Sequence, residues 1–169
     1  PGSNIIYNLI SSKAVPEVIS ENGGTPIRSR VGHSFIKKQM AETNAIFGGE
    51  HSGHFYFADF WRADSGMLAA LYALSELSES SKTLSELLKP YNRYVASGEI
   101  NTTVKDIPSR LQAIRDNYAS GYEIDELDGI TVTGKDFWFN VRASNTEPLL
   151  RLNVEGDTKA IMEKARDAA

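Results

Sequence analysis

The chain has 169 residues, 41% hydrophobic and 24% charged, with 18 Lys plus Arg against 22 Asp plus Glu for a net charge of −4. That length can bury one core or two small ones, and the charge balance gives no general attraction to nucleic acid or to an anionic membrane. The absence of cysteine excludes disulfides and thiolate chemistry, and no apolar run approaches the ~20 residues needed to span a bilayer. With no secretory-signal pattern at the start, a cytoplasmic location is expected.

In chain order, Ile5-Ile6-Tyr7 reads as a short strand, after which Ser11 or Ser12 can cap a helix with Val15, Val18 and Ile19 on one face. Asn22-Gly23-Gly24 stops that helix. Pro26 to Val31 is the next strand, and Ser34 can cap a second helix carrying Phe35, Ile36 and Met40. Ala45-Ile46-Phe47 and Phe55-Tyr56-Phe57 flank a glycine-rich loop, as two short strands or one broken strand. Asp64 or Ser65 starts the longest helix, whose stripe of Met67, Leu68, Leu71, Leu74 and Leu77 is expected to be core. This alternation predicts a three-layer α/β domain over residues 5–89, with a mixed, mostly parallel sheet.

A short helix with Leu84, Leu87 and Leu88 ends at Pro90, and Lys89 to Tyr94 reads as a linker. Beyond it come a strand at Ile100 to Thr103 and a helix from Pro108 to Tyr118. Strands near Ile130 to Thr133, Phe137 to Val141 and Leu149 to Val154 follow, then a helix from Asp157 to Ala168. One strand, one helix, three strands and a helix predict a smaller α+β domain over 94–169, its helices on one face of an antiparallel sheet.

Two loops carry the chemistry. Gly48-Gly49-Glu50-His51-Ser52-Gly53-His54 sets a carboxylate, a hydroxyl and two imidazoles among three glycines, which let the backbone turn sharply and approach a ligand. Such convergent acceptors and donors suit sugar hydroxyls; an ordinary glycine turn with surface histidines is the alternative on local pattern. The second loop, Arg142-Ala143-Ser144-Asn145-Thr146-Glu147-Pro148, joins two alternating strands. A guanidinium forks onto two phosphate oxygens, and Ser, Asn, Thr and backbone N–H groups supply further bonds. A plain turn with an exposed Arg is the alternative here.

Together and in this order, Gly49-Glu50-His51-Ser52-Gly53-His54 and Arg142-Ala143-Ser144-Asn145-Thr146 resemble the sugar-binding and phosphate-binding loops of the α-D-phosphohexomutase family, phosphomannomutase/phosphoglucomutase branch. Gly32-His33-Ser34-Phe35-Ile36-Lys37 resembles a third stretch, which lies beside the reacting centre in that family. The resemblance covers nearly the whole chain and implies the third and fourth domains of a four-domain enzyme. It implies Glu50 and Ser52 as substrate contacts, reading sugar O3 and O4, and Arg142, Ser144, Asn145 and Thr146 as phosphate contacts. His33 and His54 become candidates for proton transfer or support at the reacting phosphate, while His51 occupies the variable position and should face outward.

The family's catalytic-serine loop and its Asp-rich Mg²⁺ loop have no counterpart here. The resemblance therefore places the Mg²⁺ ligands outside this chain, expects no metal ligands within it, and leaves the fragment by itself inactive. Hexose phosphate as substrate, a hexose 1,6-bisphosphate intermediate and the N-terminal domains of the same polypeptide as partner are implied with it. A phosphoglucosamine mutase or a non-catalytic sugar-phosphate-binding module are the alternatives.

Overall fold

The structure is a computed structural model describing residues 1–144 and 147–169. The chain forms two compact units, Pro1–Arg93 and Tyr94–Ala169.

The first unit runs β1 (Asn4–Asn8), α1 (Ala14–Glu21), β2 (Thr25–Ser29), α2 (His33–Thr43), β3 (Phe47–Gly49), β4 (Phe55–Phe57), β5 (Ala63–Asp64), α3 (Gly66–Glu79) and α4 (Leu84–Leu88). The sheet order is β2-β1-β3-β4-β5. β1 pairs in parallel with β2 and β3, whereas β3 with β4 and β4 with β5 are antiparallel, so the sheet is mixed. The glycine-rich loop is thus the tip of a hairpin.

Alternation along β1 sends Ile6 to one face, where it packs with Ile36 and Met40 of α2, Ala45 and Tyr56. Gly48 lets α2 sit close: a Cβ there would lie 3.0 Å from Ile36 Cγ2 and 3.5 Å from Met40 Sδ. On α1, Ala14 and Ile19 are buried, and Ser12 Oγ accepts from the Ala14 N–H at the start of that helix. α2 differs from expectation. Its N-cap is Gly32 at φ 133°, with no capping side chain, so the helix begins at His33 and Ser34 lies inside it.

The stripe on α3 is not core. Met67, Leu71 and Leu74 are 78%, 57% and 60% exposed, and no residue of the helix is buried. Apolar residues occur on every side of this helix, and its Tyr72, itself 63% exposed, stacks on Phe57 of the sheet with centroids 5.6 Å apart. Periodicity identifies an apolar face but cannot choose between two of them. The unit closes with a capping box at Thr83 and Glu86 on α4, then a 3₁₀ turn at Lys89–Tyr91. Arg93 ties that end to α1 through Glu17 at 3.1 Å and Glu21 at 2.6 Å.

The second unit runs β6 (Val95–Thr103), α5 (Ile107–Tyr118), β7 (Glu123–Asp125), β8 (Ile130–Thr133), β9 (Phe137–Ala143), β10 (Leu149–Gly156) and α6 (Lys159–Ala168). Its sheet, in the order β6-β10-β9-β8-β7, is antiparallel throughout. Phe139, Val141, Leu150 and Val154 face Met162 and Ala165 of α6 and Leu111, Ile114 and Tyr118 of α5. Alternation places Trp138, Asn140 and Arg142 of β9, with Arg151, Asn153 and Glu155 of β10, on the other face. β6 begins five residues before the expected Ile100, because Ser97, Gly98 and Glu99 hid a strand whose pairing with β10 is irregular between Asn153 and Glu155. β7, three residues with two acids, left no pattern to read. Among the described residues no helix is long and apolar enough to cross a membrane.

Candidate functional site

The parallel strands β1, β2 and β3 end at one edge of the sheet, and the loops leaving them carry the polar groups; ligands of open α/β sheets bind at this carboxyl edge. Glu50 follows β3 and is 6% exposed. Its Oε1 accepts from the Tyr56 hydroxyl at 2.7 Å and its Oε2 from the Gly32 N–H at 3.1 Å. Both bonds point the carboxylate inward, and each oxygen keeps a further lone pair for a ligand. Tyr56 is fully buried; burial first, then the bond to Glu50 and the charges of Glu50 and Asp64, push its hydroxyl far above the usual phenol range. It stays a donor at any working pH.

The loop is closed by backbone bonds from Glu50 N–H to His54 O at 2.9 Å and from Gly53 N–H to Glu50 O at 3.0 Å, with Gly53 at φ 84°. Ser52 and His51 are exposed at its tip. Asn8, buried at the end of β1, accepts on Oδ1 from Ser11 Oγ at 2.8 Å and from the His51 N–H at 3.3 Å. A largely apolar crevice of about 540 Å³ is lined by Glu50 and His51, by the hydroxyl residues Ser11 and Ser12, and by walls such as Ile5, Val18 and Phe47.

His33, the first residue of α2, and His54, the last of the loop, meet edge-on with ring centroids 4.3 Å apart. His54 Nδ1 lies 2.6 Å from Asp64 Oδ2, and the Phe55 N–H donates to Asp64 Oδ1 at 2.9 Å. One donor atom each of His33, His54 and Asp64 lie within 4.8 Å of one another, near enough for a cation. Both Asp64 oxygens, however, are already engaged as acceptors. Burial raises the Asp64 carboxyl, but the bonds from His54 and Phe55 and the charges of His54 and His33 outweigh it and hold it below the usual range.

A depressed folded pKa contributes stability that is complete above the unfolded value of about 3.9 and is lost as pH falls through the lower, folded value. The difference in Tm between the wild type and Asp64→Asn should therefore be largest above about pH 4 and shrink below it. Thermal unfolding followed by circular dichroism across that range checks the sign; a difference that widens on acidification would contradict it.

In the second unit, Arg142 and Arg151 sit opposite each other on β9 and β10. Glu99 joins them, with Arg142 Nη2 at 3.5 Å from Oε2 and Arg151 Nη1 at 3.1 Å from Oε1. Arg142 is buried, and its Nε has no partner among the described residues. Ser144 Oγ accepts from the Glu147 N–H at 3.3 Å and from Arg151 Nη2 at 3.4 Å. The expected contacts Asn145 and Thr146 lie outside the described residues. Sequence reasoning missed Tyr56 and Asp64, read as a strand residue and a helix start, and Arg151, although hairpin alternation puts Arg142 and Arg151 on one face.

The chain is thus one α/β unit and one α+β unit, each carrying a loop rich in hydrogen-bonding side chains. Residues 1–94 match "Phosphoglucomutase/phosphomannomutase, alpha/beta/alpha domain III", and residues 99–169 match "Phosphoglucomutase/phosphomannomutase, C-terminal domain". A phosphomannomutase of Methanocaldococcus jannaschii is 48% identical over 162 residues, 96% of this chain and 36% of that protein. The structure of a Burkholderia thailandensis protein described as of the phosphoglucomutase/phosphomannomutase family superposes with a TM-score of 0.86 at 31% identity, over 99% of this chain and 36% of that one. An Aspergillus fumigatus N-acetylphosphoglucosamine mutase, solved with GlcNAc-6P and magnesium, shares the fold, with a TM-score of 0.68 at 13% identity over 95% of this chain and 39% of that one.

The chain belongs to the phosphoglucomutase/phosphomannomutase family, of which it comprises the third and C-terminal domains. It spans a little over a third of the length of these relatives.

Proposed function

We propose that this chain is the substrate-holding C-terminal part of a phosphomannomutase/phosphoglucomutase, which interconverts hexose 1-phosphate and 6-phosphate through a hexose 1,6-bisphosphate. The observation that carries it is Glu50: a buried carboxylate, aimed by Tyr56 and Gly32, on a loop that also brings Ser52 and His54 to the sheet's carboxyl edge. Glu50 and Ser52 hold sugar hydroxyls O3 and O4, while Arg142 and Ser144, with Asn145 and Thr146, hold the phosphate that is not reacting.

Phosphoryl transfer depends mainly on positioning and charge stabilisation, so groups that fix the sugar act directly on rate. His54 or His33 takes the proton of the hydroxyl that attacks. Mg²⁺ takes hard oxygen ligands in octahedral geometry, and the His33, His54 and Asp64 cluster does not fit it. Its ligands belong to domains outside this chain.

Two measurements test this function. Mannose 1-phosphate and glucose 1-phosphate should each shift the amide resonances of the Glu50 to His54 loop in the 169-residue chain, with no turnover; no shift with either sugar would refute the substrate class. Preference for glucosamine phosphate would favour the phosphoglucosamine mutase. In the complete enzyme, Arg142→Ala removes a charge-assisted contact and should weaken phosphosugar binding by about 1.5–3 kcal/mol. Unchanged KM and kcat/KM would show that Arg142 serves only the fold.

A further inference from the structure

Asp64 is not itself assigned to the sugar or its phosphate, yet its geometry is fixed on two sides. Oδ1 accepts the Phe55 backbone N–H at 2.9 Å, where β4 and β5 pair, and this leaves Oδ2 directed at His54 Nδ1, 2.6 Å away. An ionised carboxylate only accepts hydrogen bonds. In neutral imidazole one nitrogen donates and the other accepts, so a carboxylate against Nδ1 fixes the proton there and leaves Nε2 bare. His33 also stands near His54, at 4.3 Å between ring centroids, and beyond it Tyr56 with its bond to Glu50.

We propose that Asp64 is a positioning residue for His54, holding the ring in the tautomer whose Nε2 can take a proton from the attacking sugar hydroxyl. This rests on the assignment of His54 as proton carrier. In the step, the sugar O–H bond breaks and its proton passes to Nε2. The sugar O–P bond forms as the O–P bond to the enzyme's own phosphorylated hydroxyl breaks, and that oxygen leaves with the electron pair. Asp64 stays ionised and offsets the imidazolium; the reverse transfer returns the proton. The sequence alone presented Asp64 only as a helix start, because its contact with His54 is made by strand pairing.

Nitrogen NMR of the 169-residue chain, labelled at histidine and held roughly two pH units above the ordinary histidine value, reads the tautomer directly. The wild type should carry the His54 proton on Nδ1. In Asp64→Asn the side-chain oxygen can still accept from Phe55 while its amide N–H faces Nδ1, so the proton should move to Nε2. In the complete enzyme the same variant should lower kcat by about 100-fold, the lower end of what general acid–base catalysis contributes, with KM nearly unchanged.

A wild-type spectrum with the proton on Nε2 overturns the proposal without any variant. So does Asp64→Asn that lowers Tm or raises KM but leaves kcat intact. His54→Gln separates the two layers: unchanged kcat would remove the proton-carrier assignment itself, whereas a lowered kcat in His54→Gln beside a normal one in Asp64→Asn would remove only the role of Asp64.

Discussion

Glu50→Gln should lower kcat/KM of the complete enzyme by about 10- to 150-fold on both glucose and mannose phosphates, the equivalent of losing a bond to a charged group. Glutamine keeps the shape but has one accepting oxygen where glutamate has two. Tyr56 O–H and Gly32 N–H both now donate to the carboxylate. If the amide oxygen keeps Gly32, its N–H faces the Tyr56 oxygen, and the buried hydroxyl hydrogen is left without a partner.

The variant should therefore also lose about 1–3 kcal/mol of stability, the cost of one unsatisfied buried group. Tyr56→Phe separates the effects. It removes the hydroxyl but leaves the carboxylate its charge and its bond from Gly32, so stability should fall while discrimination among sugars stays. Because O3 and O4 have the same configuration in glucose and mannose, a Glu50→Gln enzyme impaired on only one of the two would mean that the loop reads C2.

Gly129→Ala should cost the second unit about 2–6 kcal/mol, adding the strain of a left-handed residue to that of overpacking. Gly129 has φ 70°, and a Cβ there would lie 2.3 Å from Val141 O and 2.6 Å from Arg142 Cβ. Neither neighbour can move without parting β8 from β9, where Asn140 Nδ2 donates to Asp128 O at 3.0 Å. Since domains are stable by roughly 5–15 kcal/mol, amide exchange in β8 and β9 should accelerate strongly. Gly98→Ala is the control: its φ is 72° and a Cβ there meets nothing within 4 Å, so it carries the backbone strain alone. Equal losses in the two variants would show that the contact with Arg142 costs nothing.

Much of the fold was legible because local rules agree with it. Period-two alternation marks β9 and β10, and glycine or proline closes α1 and α4. The antiparallel turn of β4 and β5 was not, since a three-residue strand carries no sign of its direction. α3 failed for a different reason: its sequence is apolar on more than one face, and nothing in it marks the face whose Tyr72 stacks on Phe57.

Of the candidate site, the loops could be named from residue types, because glycines, a carboxylate and imidazoles in one short run are uncommon by chance. Contacts made by strand pairing or helix placement could not. The meeting of His33 with His54, and the anchoring of Glu50 by Tyr56, depend on how β3, β4 and α2 come together. Arg151 lay in an ordinary alternating strand, and its bonds with Ser144 and Glu99 appear only once the hairpin register is known.

The amide of Gly32 links two jobs that an enzyme designer would wish to adjust separately. It binds Glu50, and the next residue, His33, opens α2 beside His54. If Glu50 holds a sugar as proposed, a shift of its carboxylate toward that sugar would pull through the Gly32 bond on the first turn of α2, and so on the imidazole pair. Selection acting on Glu50 for tighter holding of one hexose would then also alter the proton transfer proposed for His54. Variation in sugar preference should arise instead at the exposed loop tip, at His51, whose side chain takes no part in the bond between Gly32 and Glu50.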